Sequence, residues 1–178
     1  MRIYPMAIAA AMLLVGCASS YDIKYDYDVD SNFSAFKTYA WIPRAVSQGP
    51  TSATSAMQNN TLLDKRIRNA VDAQMQSKGF TLTEDNPDVL VVYHTGAQNK
   101  VDVTSMGYGY WGAASNVDVY SYTEGTLIVD LVNANTKQLA WRGSATGVVD
   151  PGSSPEQMEA NINNVVTRMF ANYPPAGH

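Results

Sequence analysis

The stretch Asp88-Val-Leu-Val-Val-Tyr-His94 decides the predicted fold. It is a largely apolar run, too short for a helix and rich in β-branched residues, and this combination favours a strand. Runs of this kind are typical of strands in the middle of a sheet, because both of their faces are covered. We therefore predict a central strand that extends toward Thr104.

Two longer segments after this run are predicted to pair with it. They extend from Asn116 to Leu131 and from Lys137 to Val149, and the turn residues Asn133-Ala-Asn135 separate them. A short turn between two strands makes the strands antiparallel. The three segments together predict an antiparallel meander.

Two shorter strand candidates precede the central strand. Tyr21 to Asp30 alternates Tyr, Ile and Val with Asp and Lys, which is the pattern of a strand with one solvent-exposed face. Phe36 to Ile42 is rich in aromatic residues and stops at Pro43. The residues Asp30-Ser-Asn32 between them favour a turn.

A first amphipathic helix is predicted between the two strand regions. Thr61 and Asp64 form an imperfect capping box at its start, and Lys78-Gly79 provides a stop signal at its end. Apolar residues repeat between these signals at helical spacing. One face of this helix is therefore expected to pack against the sheet.

A second helix follows the last predicted strand and has a complete start signal. Ser154 is the N-cap, Pro155 occupies the first helical position, and Gln157 can reach back to the cap. An apolar stripe follows, and Tyr173-Pro-Pro175 terminates the helix.

Two such helices and about five strands, each with one apolar side, bury their faces together when helices cover a sheet. We predict an α+β fold, a two-layer sandwich with a mainly antiparallel sheet of about five strands and both helices on one face. A chain of 178 residues suits one such domain, which we place at residues 21–178. Residues 44–60 are small and polar without periodicity, and this composition predicts a flexible surface loop.

The N-terminus has the pattern of a bacterial lipoprotein signal. Arg2 precedes an apolar run from Ala7 to Val15, as in a secretory signal. Leu14-Val-Gly-Cys17 resembles the lipobox, in which the cysteine receives a diacylglyceryl group and becomes the first mature residue. We predict a signal peptide over residues 1–16 and a lipidated tether over residues 17–20. The alternative is a core helix with a buried cysteine, because free Cys is often buried.

A lipid on Cys17 determines the expected location. Ala18 and Ser19 lack the aspartate that, in similar sorted lipoproteins of Gram-negative bacteria, retains the protein at the inner membrane. We therefore expect the chain at the periplasmic face of the outer membrane, with the membrane as a partner through the lipid. Since Cys17 is the only cysteine, lipidation leaves no thiol for catalysis, zinc binding or redox chemistry.

Charge excludes one class of partner. Twelve Lys and Arg residues stand against sixteen Asp and Glu residues, for a net charge of -4. The basic residues are scattered along the chain, whereas nucleic-acid binding needs a concentrated positive surface. We expect no nucleic-acid partner.

The chain has few residues suited to catalysis or metal binding. The histidines are His94 and His178 alone, and no hydrolase, metalloprotease or phosphate-binding motif accompanies them. His94 is a candidate base at a strand end, although a histidine there is more often a hydrogen-bonded strand residue.

Asp26-x-Asp28-x-Asp30 begins like a calcium loop, but Ser31 and Lys37 replace its required Gly and Glu. A solvated edge strand explains these aspartates better, with weak calcium binding left open. We predict no catalytic residue, no metal site and no cofactor.

A cluster of aromatic residues among glycines is the best candidate for contact with a partner. Tyr108, Tyr110 and Trp111 would supply a large contact area at low entropic cost if they are exposed. The alternative is that their rings fold back as a lid over a small core. Trp41 and Trp141 lie in strand patterns and are predicted to be core residues.

Several short motifs occur in a fixed order between about Tyr25 and Pro175. They are Phe36-Lys-Thr-Tyr-Ala-Trp41, Leu63-Asp-Lys-Arg-Ile67 with Lys78-Gly-Phe80, Pro87-Asp-Val-Leu-Val-Val-Tyr-His94, Glu124-Gly-Thr-Leu-Ile-Val-Asp-Leu131, Leu139-Ala-Trp-Arg-Gly143 and Phe170-Ala-Asn-Tyr-Pro-Pro175. In this order they resemble domain-of-unknown-function family 4136, a group of bacterial envelope lipoproteins. The resemblance supports the predicted location and fold. It implies no catalytic or ligand-binding residues, because the family has no established activity.

Three functions are compatible with these observations. The first is a non-enzymatic, lipid-anchored module that binds another envelope protein through Tyr108, Tyr110 and Trp111. The second is a periplasmic carrier of a small apolar ligand, held in a pocket between the helices and the sheet. The third is an envelope hydrolase that uses His94 with a serine or carboxylate brought near it by folding.

Overall fold

The computed structural model describes residues 21–42, 61–105 and 117–175, and their side chains except those of residues 101–122. These ranges form the predicted α+β fold, in which two helices pack on a sheet. In chain order the elements are β1 (Asp22–Tyr27), a short 3-10 helix (Phe33–Ala35), β2 (Thr38–Trp41), α1 (Thr61–Ser77), β3 (Thr81–Leu82), β4 (Val89–Ser105), β5 (Val117–Asn133), β6 (Leu139–Val149) and α2 (Pro155–Phe170). Neither helix in these ranges has both the length and the apolar character needed to span a membrane.

The sheet is mixed and has six strands in the order β1-β6-β5-β4-β2-β3. β1, β6, β5 and β4 pair antiparallel, which confirms the predicted meander. β2 is instead parallel to β4 and to β3, so the prediction of about five mainly antiparallel strands differs in detail from this mixed sheet of six. The cause is α1, which connects β2 to β3 and β4 as a crossover helix. After such a crossover the chain runs in its original direction, so β3 and β4 are parallel to β2.

Asp88 fixes the parallel pairing between β2 and β4. Its Oδ2 accepts hydrogen bonds from the backbone N–H groups of Lys37 and Thr38 at 2.8 and 2.9 Å, and from Thr38 Oγ1 at 2.9 Å. These bonds stabilise the ionised carboxylate and lower the pKa of Asp88. Asp88 therefore holds the start of β2 beside the start of β4. It lies just before β4, whereas the sequence pattern assigned Asp88 to the central strand itself.

The core lies between the helices and one face of the sheet. Trp141 is fully buried there, which confirms its predicted place, and its ring centroid is 4.9 Å from that of Phe170. Gly143 leaves room for the indole, because a Cβ at that position would lie 2.5 Å from the Trp141 ring. Trp41 is only partly buried at the margin of the core, and its Nε1 donates a hydrogen bond to Asp72 Oδ1 at 2.9 Å.

The helix ends follow most of the sequence signals. The α2 capping box is present, since Ser154 Oγ accepts from the Gln157 N–H and Gln157 Oε1 accepts from the Ser154 N–H. Gly79 has a φ of +87° just after α1, a conformation that favours glycine and ends the helix. Thr61 is the first residue of α1 itself, whereas the capping box placed it before the helix.

Candidate ligand-binding cavity

A cavity of about 320 Å³ lies between the sheet and the N-terminal parts of α1 and α2. Its lining is mostly apolar and comes from three strands, both helices and the segment that joins β6 to α2. The lining residues are Tyr21, Leu63, Ile67, Thr95, Gly96, Thr123, Gly125, Thr126, Leu127, Ala145, Val149, Asp150, Pro151, Ser153, Met158, Asn161, Ile162 and Val165.

The two helices that cover the cavity run parallel to each other. Arg66 Nη1 lies 3.5 Å from Met158 Sδ near the start of both helices. Further along both, Gln74 Nε2 donates a hydrogen bond to Thr167 Oγ1 at 3.1 Å. Because both pairs advance in the same direction, the two N-terminal ends lie together above the same part of the sheet.

The cavity lies over a part of the sheet where β6 carries a small residue. Thr95, Leu127 and Ala145 face each other across β4, β5 and β6 in one row of the register. In the row toward the other ends of the helices, β5 again carries a leucine, Leu131, but β6 carries Trp141, whose ring packs against Phe170 of α2. Side-chain volume therefore falls along the sheet, and a space remains where the volume is lowest.

Two strand glycines let neighbouring side chains lie over the sheet at the edge of the cavity. A Cβ on Gly125 would lie 2.4 Å from Val149 Cγ2, and a Cβ on Gly147 would lie 2.4 Å from the Tyr21 ring. Gly125 and Gly147 face each other in the register between β5 and β6. Val149 and Tyr21 can close this side of the cavity only because both positions lack a side chain.

Among the described lining residues, Thr95 carries a fully buried hydroxyl without a partner, and the lining has little charge. Thr95 Oγ1 is buried and has no hydrogen-bond partner in the part of the chain that the structure describes. Asp150 carries the only charge among the described lining residues, and its Oδ1 accepts a hydrogen bond from the Gly152 N–H at 2.8 Å. A buried hydroxyl without a partner is costly, so Thr95 is the position at which a polar group of a ligand would gain most.

Charged side chains lie outside the cavity, near its rim. Arg66 contacts Met158, which lines the cavity, and its charge acts on Glu156 in the first turn of α2. Hydrogen bonds from its own N–H and from Ser154, together with attraction by Arg66, lower the pKa of Glu156. The charges at the rim are therefore of both signs.

Hydrogen bonds hold α1 in place above the sheet. Tyr93 Oη donates to Asp64 Oδ1 at 2.6 Å, and Tyr39 Oη donates to Asp72 Oδ1 at 2.7 Å. Burial, with the neighbouring Asp72 carboxylate, raises the pKa of Tyr39, so its hydroxyl stays a donor at neutral pH. The Arg68 guanidinium also lies 4.5 Å from the centre of the Trp41 ring. These contacts fix one wall of the cavity.

The structure places His94 on the opposite face of the sheet from the cavity. Its side chain is 58% exposed, and its Nε2 lies 3.6 Å from Asp130 Oδ2. Both Asp130 oxygens accept hydrogen bonds from Arg142, each at 2.6 Å. No hydrogen bond between His94 and a serine or threonine hydroxyl occurs among the described residues, so the geometry does not form a nucleophile–base pair there.

Two of the three N-terminal aspartates, Asp26 and Asp28, accept hydrogen bonds from neighbouring residues of the chain. Asp28 Oδ1 accepts from the Asp30 N–H at 3.1 Å, and its Oδ2 accepts from Ser31 Oγ at 2.9 Å. Asp26 accepts from the Tyr27 N–H at 2.9 Å. Within the described ranges, no three His, Cys, Asp or Glu side chains are grouped so that they could hold a metal ion.

The remaining predicted positions lie outside the described residues. They are the signal peptide over 1–16, Cys17 and the tether over 17–20, the loop over 44–60, and Tyr108, Tyr110 and Trp111. Lipidation of Cys17 and partner binding by the three aromatic residues therefore stay predictions.

Sequence reasoning anticipated a pocket between helices and sheet only in general terms and named none of its residues. Thr95, Leu127 and Ala145 come together through the register of three strands, which single strand patterns do not contain. The signal that could have been used is the pair Gly125 and Gly147, because glycine inside a strand often marks a close approach of another group.

Comparison with solved structures finds similarity at low sequence identity. A PDZ domain protein from Parabacteroides distasonis is 14% identical with a TM-score of 0.59, and the match covers 90% of this chain. The chain spans 38% of that protein's length. Two structures of the PelC dodecamer from Paraburkholderia phytofirmans are 6% and 7% identical with TM-scores of 0.45 and 0.43, covering 85% of this chain and 95% and 96% of theirs. No curated protein sequence matches the chain significantly.

A family model gives the most extensive match by sequence. The model described as "Domain of unknown function (DUF4136)" matches residues 23–175. This range includes every described helix and nearly all of the sheet. The chain therefore belongs to the DUF4136 family.

Proposed function

We propose that this protein binds a small, largely apolar molecule in the cavity between its helices and its sheet. The observation that carries the proposal is the cavity itself, which is about 320 Å³ in volume and has a mostly apolar lining that includes Leu, Ile, Val, Met and Ala side chains. A concave, mostly apolar space between secondary-structure elements is the usual form of a small-molecule site. A ligand would remove this apolar lining from water, which is favourable.

The volume sets the size of the ligand. Small-molecule sites range from roughly 300 to 1,000 Å³, so the cavity lies at the lower limit. An engineered apolar cavity of about 150 Å³ accepts benzene, and scaling from that case gives a ligand of about a dozen non-hydrogen atoms. Long acyl chains are therefore too large to be enclosed completely.

The proposed setting is the periplasmic face of the outer membrane, where a lipid on Cys17 would hold the protein. This part of the proposal depends on the sequence pattern around Cys17 and is independent of the cavity. A ligand-binding domain on a lipid anchor would act as a carrier or receptor for a small molecule in the periplasm.

The test is a fluorescence titration of the full chain with 1-naphthylamine, a dye within this size that is uncharged at pH 7 and whose emission shifts to shorter wavelength in apolar surroundings. Leu63→Trp places an indole at a lining position, whereas Leu62→Trp makes the same change at the next residue, which is 62% exposed and does not line the cavity. Filling the space should weaken dye binding at least about tenfold in Leu63→Trp, with less than about a twofold change in Leu62→Trp.

Comparison of the two variants also controls for dye that binds elsewhere on the chain, because such binding would be equal in both. Equal affinity of the two variants would contradict the proposal. Circular dichroism and urea unfolding of each variant establish that both are folded before they are compared.

A further inference from the structure

The charges around the cavity select against an anionic ligand. Asp150 is the only charged lining side chain in the described residues, and no Lys, Arg or His lines the space there. An anion entering the cavity would lose its hydration without meeting a cation, and it would approach the Asp150 carboxylate.

The first turns of both covering helices also carry acidic residues. Asp64 lies in the first turn of α1 and Glu156 in the first turn of α2. These carboxylates offset the positive potential of the two helix N-termini. Arg66 is the cation near the rim; its guanidinium contacts Met158, and it does not line the cavity.

Among the described lining residues, Thr95 has the one fully buried hydroxyl that lacks a hydrogen-bond partner. Its Oγ1 is buried without a partner in the described residues, although Thr95 lines the cavity. Rotation about χ1 exchanges the positions of hydroxyl and methyl between staggered rotamers. A polar group in the cavity would favour the rotamer that turns the hydroxyl toward it, because the hydroxyl gains no hydrogen bond in its present position.

We infer that the ligand is an uncharged molecule with an apolar body and one hydroxyl or carbonyl group, and that this group forms a hydrogen bond with Thr95 Oγ1. The inference rests on the proposed function, since it names the ligand class of the same cavity. A hydroxyl or a carbonyl satisfies the side chain equally, because the threonine hydroxyl both donates and accepts.

Three probes with one ring system test this inference on the full chain. Naphthalene has no polar group, 2-naphthol adds an uncharged hydroxyl, and 2-naphthoate adds a charged carboxylate. Their dissociation constants are measured by equilibrium dialysis for the wild type, for Thr95→Val and for Thr95→Ser. Valine keeps the shape of threonine without the hydroxyl, and serine keeps the hydroxyl.

The wild type should bind 2-naphthol about fivefold more tightly than naphthalene, as one net hydrogen bond provides. 2-Naphthoate should bind at least about tenfold more weakly than 2-naphthol, because its charge must be desolvated. Thr95→Val should remove the preference for 2-naphthol over naphthalene, while Thr95→Ser should retain it.

Two results would overturn the inference while leaving the proposed function intact. The first is equal binding of 2-naphthol and naphthalene by the wild type, with both still blocked by Leu63→Trp. The second is tight binding of 2-naphthoate that Arg66→Gln abolishes, which would identify an anionic ligand held at the rim. Failure of all three probes to bind the wild type would instead overturn the proposed function together with the inference.

Discussion

Thr95→Val should stabilise the protein, although it removes a polar group from a residue beside the proposed ligand site. Thr95 Oγ1 is buried without a hydrogen-bond partner among the described residues. Burying a hydroxyl without a partner costs about 1–3 kcal/mol on the scale of protein mutations. Valine has nearly the same shape and favours strands, so we expect the free energy of unfolding to rise by about 1 kcal/mol.

Urea unfolding of the ligand-free protein, followed by circular dichroism, measures this change. For an m-value of about 2 kcal/mol/M, the midpoint should rise by about 0.5 M with no change in m. A chain of this size should also show a Tm increase of about 2–4 °C. The same substitution would then increase stability and decrease affinity for 2-naphthol, a combination that a purely structural role of Thr95 does not produce.

Thr126→Val is the matched control on the neighbouring strand. Thr126 Oγ1 lies 3.3 Å from Thr146 Oγ1, so its removal leaves a partner without a hydrogen bond. We expect the control to lose about 0.5–1 kcal/mol of stability. A comparable loss in Thr95→Val would refute the reasoning, because it would mean that the Thr95 hydroxyl is hydrogen-bonded in the folded protein.

Three further predictions concern the fold and the proposed setting. Asp88→Asn should cost about 2 kcal/mol at pH 7, since it weakens hydrogen bonds to a carboxylate. The pKa of Asp88 is lowered in the folded state, so its carboxylate contributes to the free energy of unfolding above the unfolded pKa of about 4, and this contribution is lost at lower pH. The urea midpoints of wild type and variant should therefore converge below about pH 4. A difference between the midpoints that stays constant with pH would contradict this assignment. Cys17→Ala should move the protein from the membrane fraction to the soluble fraction on cell fractionation, whereas unchanged membrane association would argue against a lipid anchor. Replacing Tyr108, Tyr110 and Trp111 together with Ala should abolish crosslinking to an envelope partner with nearly unchanged Tm, and a collapse of Tm would show that these residues belong to the core.

Sequence patterns predicted the elements whose signals are local. The start of α2 was predicted because Ser154, Pro155 and Gln157 are adjacent in the chain, and their capping box is present in the structure. The meander of β4, β5 and β6 was predicted because turn residues and apolar alternation mark each strand. In each case the residues that determine the structure are neighbours in sequence.

The errors involve contacts between distant segments. The parallel pairing of β2 with β4 depends on Asp88 bonding to Lys37 and Thr38, about fifty residues earlier. β3 consists of Thr81 and Leu82 alone, which is too short to show any periodicity. Both features follow from the path of the chain through α1.

The position of the cavity was also not predicted from the sequence, because it too depends on contacts between distant segments. Small residues such as Ala145 are unremarkable within a single strand, and their effect appears when the register places them in one row with Leu127 and Thr95. A void is a property of a layer of side chains from several elements. The sequence pattern of any one element therefore does not predict it.

The most direct test of the central claim is to locate a bound ligand by NMR. Methyl groups of Leu127 and Ile162 line the cavity, whereas Ile128 lies on the other face of the sheet because alternate strand residues point in opposite directions. With methyl-labelled full chain and 2-naphthol, we predict intermolecular nuclear Overhauser effects from the naphthol ring to Leu127 and Ile162. Effects confined to Ile128 and its neighbours, or none at saturating 2-naphthol, would contradict the claim that the cavity is a ligand-binding site.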